Sequence, residues 1–175
     1  QGVRREAVFM PPGLAAKIDT VVDLARTHLS EARRSVGTLR PNVSDGEEVA
    51  AALKRLAGVA QRTTDVPIDI KVDELPRLGD LVEREIIGIA QEALSNAVRH
   101  SRAQRITFSA ATVRSIGVRL SIADDGRGIA HGQASGGFGM TSMQERAERI
   151  GASLTIVTAP RSGTEVVLAW EPSNL

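Results

Sequence analysis

The sequence predicts an α/β (α+β) two-layer sandwich: a mixed, largely antiparallel sheet covered by helices on one face, with an N-terminal helical arm. Three observations predict it. Apolar residues recur at three- and four-residue steps in four stretches, short β-rich runs alternate with period two, and turn or glycine-rich segments separate them. The arm comes first. From Pro12 to about Leu39, Leu14, Ile18, Val21, Val22, Ala25, Leu29, Ala32, Val36 and Leu39 form one apolar stripe, and Pro41-Asn42 stops it. A second helix, about Gly46 to Ala60, aligns Val49, Leu53, Leu56 and Ala60. Val66 to Val72 alternates as a half-buried strand does.

The third helix runs from about Gly79 to His100, with Leu81, Val82, Ile86, Ile89, Ala90, Ala93, Leu94, Ala97 and Val98 as its apolar side. Arg105 to Thr112 and Ile116 to Asp124 follow as strands joined by a short Arg-Ser turn. Gly126 to Gly139 holds six glycines without periodicity and reads as a loop. A helix from about Thr141 to Ile150 ends at Gly151, a suitable C-cap. Ser153 to Thr158 and Thr164 to Trp170 are the last strands, flanking a Pro160-to-Gly163 turn.

Composition narrows the function. A chain of 175 residues with 42% hydrophobic content can bury a core, built from Ala, Val, Ile and Leu because aromatics are only 2%. Few aromatics argue against base-stacking OB or RRM platforms. Lys plus Arg is 22 against 21 for Asp plus Glu, so the +1 balance gives no general pull towards nucleic acid or anionic membrane. Without cysteine there are no disulfides, thiolate nucleophiles or Cys-based zinc sites, which fits a cytoplasmic, reducing setting. No apolar run reaches membrane-spanning length. The chain starts with Gln1 and is expected to be part of a longer protein, with any anchor or sensor upstream.

Four features carry chemistry. On the third helix, Glu92, Asn96, Arg99 and His100 stack at three- and four-residue steps opposite the apolar stripe. An Asn carbonyl on a rigid helix suits Mg²⁺, which takes hard oxygen ligands and keeps several waters, while Arg99 and His100 suit phosphate charge. The plainer reading is a solvated polar face. Asp124-Asp125-Gly126-Arg127-Gly128-Ile129 ends an apolar strand. A carboxylate there can accept a hydrogen bond from the adenine amino group, and Gly126 and Gly128 let a flat base approach the backbone. An ordinary Asp-Gly turn is the alternative. Gly136-Gly137-Phe138-Gly139-Met140 runs into the next helix, where free N–H groups favour anions, although a flexible linker reads the same way. Gly163-Thr164 opens the last strand, with a hydroxyl available to Asp124 or simply a hairpin turn.

In this order the motifs resemble those of the GHKL ATPase superfamily, which covers histidine kinases, gyrase, the Hsp90 chaperones and MutL, and whose ATP-binding fold is the Bergerat fold. Gln91-Glu92-Ala93-Leu94-Ser95-Asn96-Ala97-Val98-Arg99-His100-Ser101 and Gly137-Phe138-Gly139-Met140-Thr141-Ser142-Met143-Gln144-Glu145-Arg146-Ala147 are similar to the NarX/DesK-like branch of sensor histidine kinases. The likeness covers about Val43 to Trp170. It implies Asn96 as the Mg²⁺ ligand and Glu92 as the residue that orients or activates water near the metal. It implies Arg99 and His100 at the phosphates, Asp124 and Thr164 at adenine, and Gly126 and Gly128 shaping the pocket. Gly137 and Gly139 would line the triphosphate, and Ile129 to Thr141, including Phe138 and Met140, would form a lid. The implied reaction passes the γ-phosphoryl of Mg-ATP to a histidine and onward to an aspartate of a response regulator receiver domain. The full-length protein would be a homodimer through its dimerisation helices.

One departure limits this. The branch carries its acceptor in a motif like Arg-x-Leu-His-Asp, and none occurs here. The arm, residues 1–41, resembles the second helix of the dimerisation hairpin, leaving residues 42–175 as the catalytic domain. His28 lacks the neighbouring acid and reads as a surface helix residue, and His131 has no motif around it. The fragment is therefore expected to bind ATP without autophosphorylating alone. The rival readings are an anti-sigma-factor-type serine kinase, against which the arm argues, and a non-catalytic nucleotide-sensing module, against which the intact Asn96, Asp124 and glycines argue.

Overall fold

The computed structural model describes residues 48–129 and 138–172. The expected arm helix, His28, His131 and Gly137 lie outside them. Three helices and five strands follow: α1 (Val49–Gln61), β1 (Ile68–Val72), α2 (Asp80–His100), β2 (Ile106–Val113), β3 (Gly117–Asp124), α3 (Phe138–Arg149), β4 (Ser153–Thr158) and β5 (Thr164–Trp170). The sheet order is β1-β2-β3-β5-β4. β1 and β2 pair in parallel across the α2 crossover, and the other three pairings are antiparallel. All three helices pack on one side, as expected.

Alternation decides which face they cover. Ile106, Phe108 and Ala110 on β2, Val118, Leu120 and Ile122 on β3, and Val166 and Leu168 on β5 are buried under α2. In register they form cross-strand rows such as Phe108–Ile122–Val166–Ile156 and Ala110–Leu120–Leu168–Leu154. From above, α2 contributes Ile86, Ile87, Ile89, Ala90, Ala93, Leu94 and Ala97, and α1 adds Val49, Ala50, Ala52, Leu53 and Ala57. Each large side chain removed from water contributes about 1.5–3 kcal/mol, so this layer outweighs any single polar contact below. Leu81, expected on the buried side, is 43% exposed, while Ile87 is buried in the core.

Local chemistry sets the connections. The Gln61 carboxamide closes the α1–β1 turn, donating to the Val66 carbonyl at 3.1 Å and accepting from the Ile68 amide at 2.7 Å. Arg114 and Ser115 take positive φ (49° and 70°), the backbone that matches hairpin twist between β2 and β3. α3 starts at Phe138, three residues before the expected Thr141. The glycine run therefore ends inside the first helical turn, where N–H groups lack intrahelical partners anyway.

Candidate functional site

The core face changes character at one end of the sheet. The row that begins with Ile68 and Ile106 continues as Asp124, Thr164 and Thr158. Period-two alternation puts Asp124 on the same face as Ile122, beneath the helices rather than in open water. Its half-buried carboxylate accepts the Gly126 amide at 2.9 Å and the backbone amide of Thr164. Burial pushes the Asp124 carboxyl above its ordinary pKa, the two amides offset part of that, and the Asp125 charge adds a little.

The Thr164 hydroxyl does not take the place expected for it. It meets the Thr158 hydroxyl at 3.1 Å, and the Thr164 backbone serves Asp124 instead. Thr158 is a hub that sequence reasoning missed. Its oxygen accepts from the Ile129 amide at 2.9 Å, and its hydroxyl donates to the Gly163 carbonyl at 3.0 Å. The signal was available: Thr158 follows Leu154 and Ile156 at two-residue steps, so it must share their face. Asp125 has a different task. Its carboxylate accepts the Gln104 and Arg105 amides at 2.7 and 2.9 Å, which fastens the start of β2 and holds the group below its usual pKa.

Three glycines are required by close approach. A Cβ on Gly126 would overlap the Ser101 carbonyl oxygen, one on Gly128 that of Ala159, and one on Gly163 that of Asp124. Gly128 and Gly163 also take positive φ, 65° and 74°. The Ser101 carbonyl accepts the Arg127 amide at 2.8 Å, so the end of α2 is fastened to the turn after Asp124.

Further back on α2, Glu92 and Asn96 are half-buried, and the N-terminal end of α3 sits against them. A Cβ on Gly139 would overlap Glu92 Oε1 and lie 3.5 Å from Asn96 Nδ2. The two polar side chains thus meet the N–H end of a helix, as anion chemistry needs. Arg99 and His100 are exposed in the last turn of α2. Ile129, Met140 and Thr141 are not gathered with Glu92 and Asn96. They line a groove of about 530 Å³ with Gln144, Glu145, Glu148, Ile156 and Thr158, on the side of α3 facing β4. Phe138 opens α3.

Among the described residues no three His, Cys, Asp or Glu side chains converge into an all-protein metal cage. The Glu92–Asn96 pair carries carboxylate and carboxamide oxygens close against Gly139 in the first turn of α3. That set fits Mg²⁺, which keeps waters and takes the rest of its shell from phosphate.

Comparison with known proteins places the chain by family and fold. A family model described as histidine kinase-, DNA gyrase B-, and HSP90-like ATPase matches residues 81–174. Sensor histidine kinase LiaS of Bacillus subtilis is 30% identical over 152 residues, 86% of this chain and 41% of that protein. The histidine-protein kinase/phosphatase DegS of Brevibacillus brevis is 25% identical over 94% of this chain and 44% of its own length. The chain thus spans less than half of either relative. Among solved structures, the histidine kinase domain of a blue-light activated histidine kinase from Erythrobacter litoralis superposes with a TM-score of 0.62 at 20% identity. That match covers 70% of this chain and 60% of that one. The ATP-binding domain of PrrB from Mycobacterium tuberculosis gives 0.53 at 23% identity, over 69% and 90%.

Proposed function

Because the chain belongs to the histidine kinase-, DNA gyrase B- and HSP90-like ATPase family, we propose that it is the Mg-ATP-binding catalytic part of a two-component sensor histidine kinase. The observation that carries this reading is the double attachment of α2. Midway along, Glu92 and Asn96 abut Gly139; at its end, Ser101 bonds the turn that holds Asp124. Ser101 follows Asn96 by five residues, about 7.5 Å along a helix axis. A triphosphate at the first point and an adenine at the second are within the reach of one nucleotide.

In this reading the Asp124 carboxylate accepts the adenine amino group, and Gly126 and Gly128 leave room for the base. Asn96 supplies a carboxamide oxygen to Mg²⁺, and Glu92 orients water in the metal's shell. When bound, Mg²⁺ neutralises charge on the phosphates. The first-turn N–H groups of α3 around Gly139 are available to the same anion. Arg99 adds positive charge, and His100 an imidazole that can hydrogen-bond phosphate, in the last turn of the helix. Phosphoryl transfer asks mainly for positioning and charge neutralisation, which these groups provide. The γ-phosphoryl would pass to a histidine on a dimerisation helix and then to a receiver-domain aspartate, in a homodimer joined through such helices. Among the described residues no helix is long and apolar enough to cross a membrane.

Titration with a non-hydrolysable ATP analogue, with and without Mg²⁺, tests the site. Asp124→Ala is expected to abolish binding and Asn96→Ala to remove the metal dependence. Unchanged affinity in both variants rejects the assignment. Adding a separate dimerisation domain with its acceptor histidine tests the reaction: transfer in trans supports the kinase, and binding without transfer supports a nucleotide sensor.

A further inference from the structure

The seam between α2 and α3 holds a second polar cluster, which the proposed function leaves unused. Glu85 precedes Glu92 by seven residues, two helical turns, so both lie on one side of α2. It is 5% exposed, yet its two carboxylate oxygens meet two arginines of α3. Oε2 accepts from Arg146 at 2.8 Å and Oε1 from Arg149 at 2.7 Å. Arg146 passes over Gly88, where a Cβ would come within 2.8 Å of a guanidinium nitrogen. A carboxylate taken out of water persists only with such partners, and removing either side leaves an uncompensated charge.

The contacts also define a register. Gly139 meets Glu92, and Arg146 meets Glu85. Seven residues separate each pair along its own helix, about 10.5 Å, so α3 runs antiparallel to α2 and is fixed at two points. Met143, between them, and Ala147, just past Arg146, are buried. Apolar burial is non-directional and does not by itself select one register over another a turn away. A carboxylate with both oxygens engaged does select.

We propose that Glu85, with Arg146 and Arg149, is a positioning cluster for the nucleotide site, fixing α3 lengthwise on α2 so that its first-turn N–H groups stay beside Glu92 and Asn96. The inference rests on the ATP-binding reading and deepens it. Glu85 touches neither base nor phosphate; it acts through the placement of Gly139. A slip of α3 would spoil the phosphate and metal end while leaving the Asp124 turn, built on the sheet, intact.

The test uses the full chain, an ATP analogue and Mg²⁺. Trp170, the sole tryptophan, donates to the Ile150 carbonyl just past α3 at 3.0 Å, so its fluorescence reports on that helix. Glu85→Gln and Arg149→Gln are each expected to weaken Mg²⁺-dependent binding about tenfold or more, the loss of a charge-assisted bond, at a temperature where melting curves show full folding. Metal-free binding stays near its starting value and Trp170 emission shifts, while Glu85→Asp recovers part of the affinity. A merely structural role predicts a lower melting temperature with the Mg²⁺ enhancement unchanged, and that result overturns the proposal. If Glu85→Gln does not fold, Arg146→Gln and Arg149→Gln decide by the same two outcomes. If the unaltered chain binds neither nucleotide form, the ATP reading fails and this inference falls with it. If it binds both and the variants match it, only the positioning role fails.

Discussion

At the end of the sheet, Asp124 is held by backbone: amides of Gly126 and Thr164 meet its carboxylate, and three glycines press against neighbouring carbonyls. In the seam between α2 and α3, side chains do the holding, with Glu85 against Arg146 and Arg149, and Glu92 and Asn96 against Gly139. Backbone hydrogen bonds within a sheet cannot be re-made one turn away, whereas two helices can slide. The base end of the proposed site is therefore rigid by construction, and the phosphate end is rigid only while its ion pairs last. That difference is what an enzyme needs if the base is to be recognised and the phosphates handed on.

The comparison breaks most visibly at Gly163. Alanine there must adopt φ near 74° and place a Cβ on the Asp124 carbonyl. Gly163→Ala is expected to cost about 2–5 kcal/mol in urea unfolding and to abolish nucleotide binding, and a loss below about 1 kcal/mol refutes the backbone account. Gly139→Ala sharpens the contrast from the other side. Its position is helical without positive φ, so stability should stay within about 1 kcal/mol, while Mg-ATP-analogue affinity falls about tenfold as the methyl displaces Glu92. Calorimetric melts beside binding titrations separate the two effects.

Thr158→Val removes one hydroxyl and leaves the Gly163 carbonyl and the Ile129 amide short of a partner. We expect about 1 kcal/mol of destabilisation, with nucleotide affinity reduced through the loosened turn rather than through a lost ligand contact. The smallest effects are in pH dependence. Burial raises the Asp124 carboxyl, so acidification protonates it earlier than an exposed aspartate, and analogue binding should begin to fall above the ordinary carboxylate range. Asp124→Asn removes that dependence. Because the raised group resists ionisation in the fold, its stability contribution is fully present below the unfolded pKa and lost as pH rises through the folded one. Asp125, held low chiefly by the Arg105 amide, has the opposite sign: its contribution is present above the unfolded pKa and lost as pH falls through the folded one. Melting curves of Asp124→Asn and Asp125→Asn across acidic pH should diverge in direction.

Much of this was readable from the residues. All five strands and the three described helices were anticipated within a few residues, because each has a clean apolar period. Asp124 could be assigned to the covered face by counting from Ile122. The start of α3 was missed because glycines are poor helix formers, and Gly139 is tolerated for a tertiary reason, the nearness of Glu92. Glu85 was passed over although it shares a face with Glu92 and Asn96, since the arginines that neutralise it are about 60 residues away in the sequence. Helical period reveals which side a residue occupies, not what waits there. Thr164 shows the same limit: its position was right, but which of its atoms faced Asp124 depended on Thr158.

The bond from the Arg127 amide to the Ser101 carbonyl has an evolutionary corollary. Inserting one residue between Asn96 and Ser101 would rotate Asn96 by about 100° and shift it about 1.5 Å along the axis. The β2–β3 turn, where Ile116 is 54% exposed, touches neither attachment, but this stretch of five residues joins both. Related sequences that drift in every side chain are expected to keep the count, and an alignment showing insertions there would refute it.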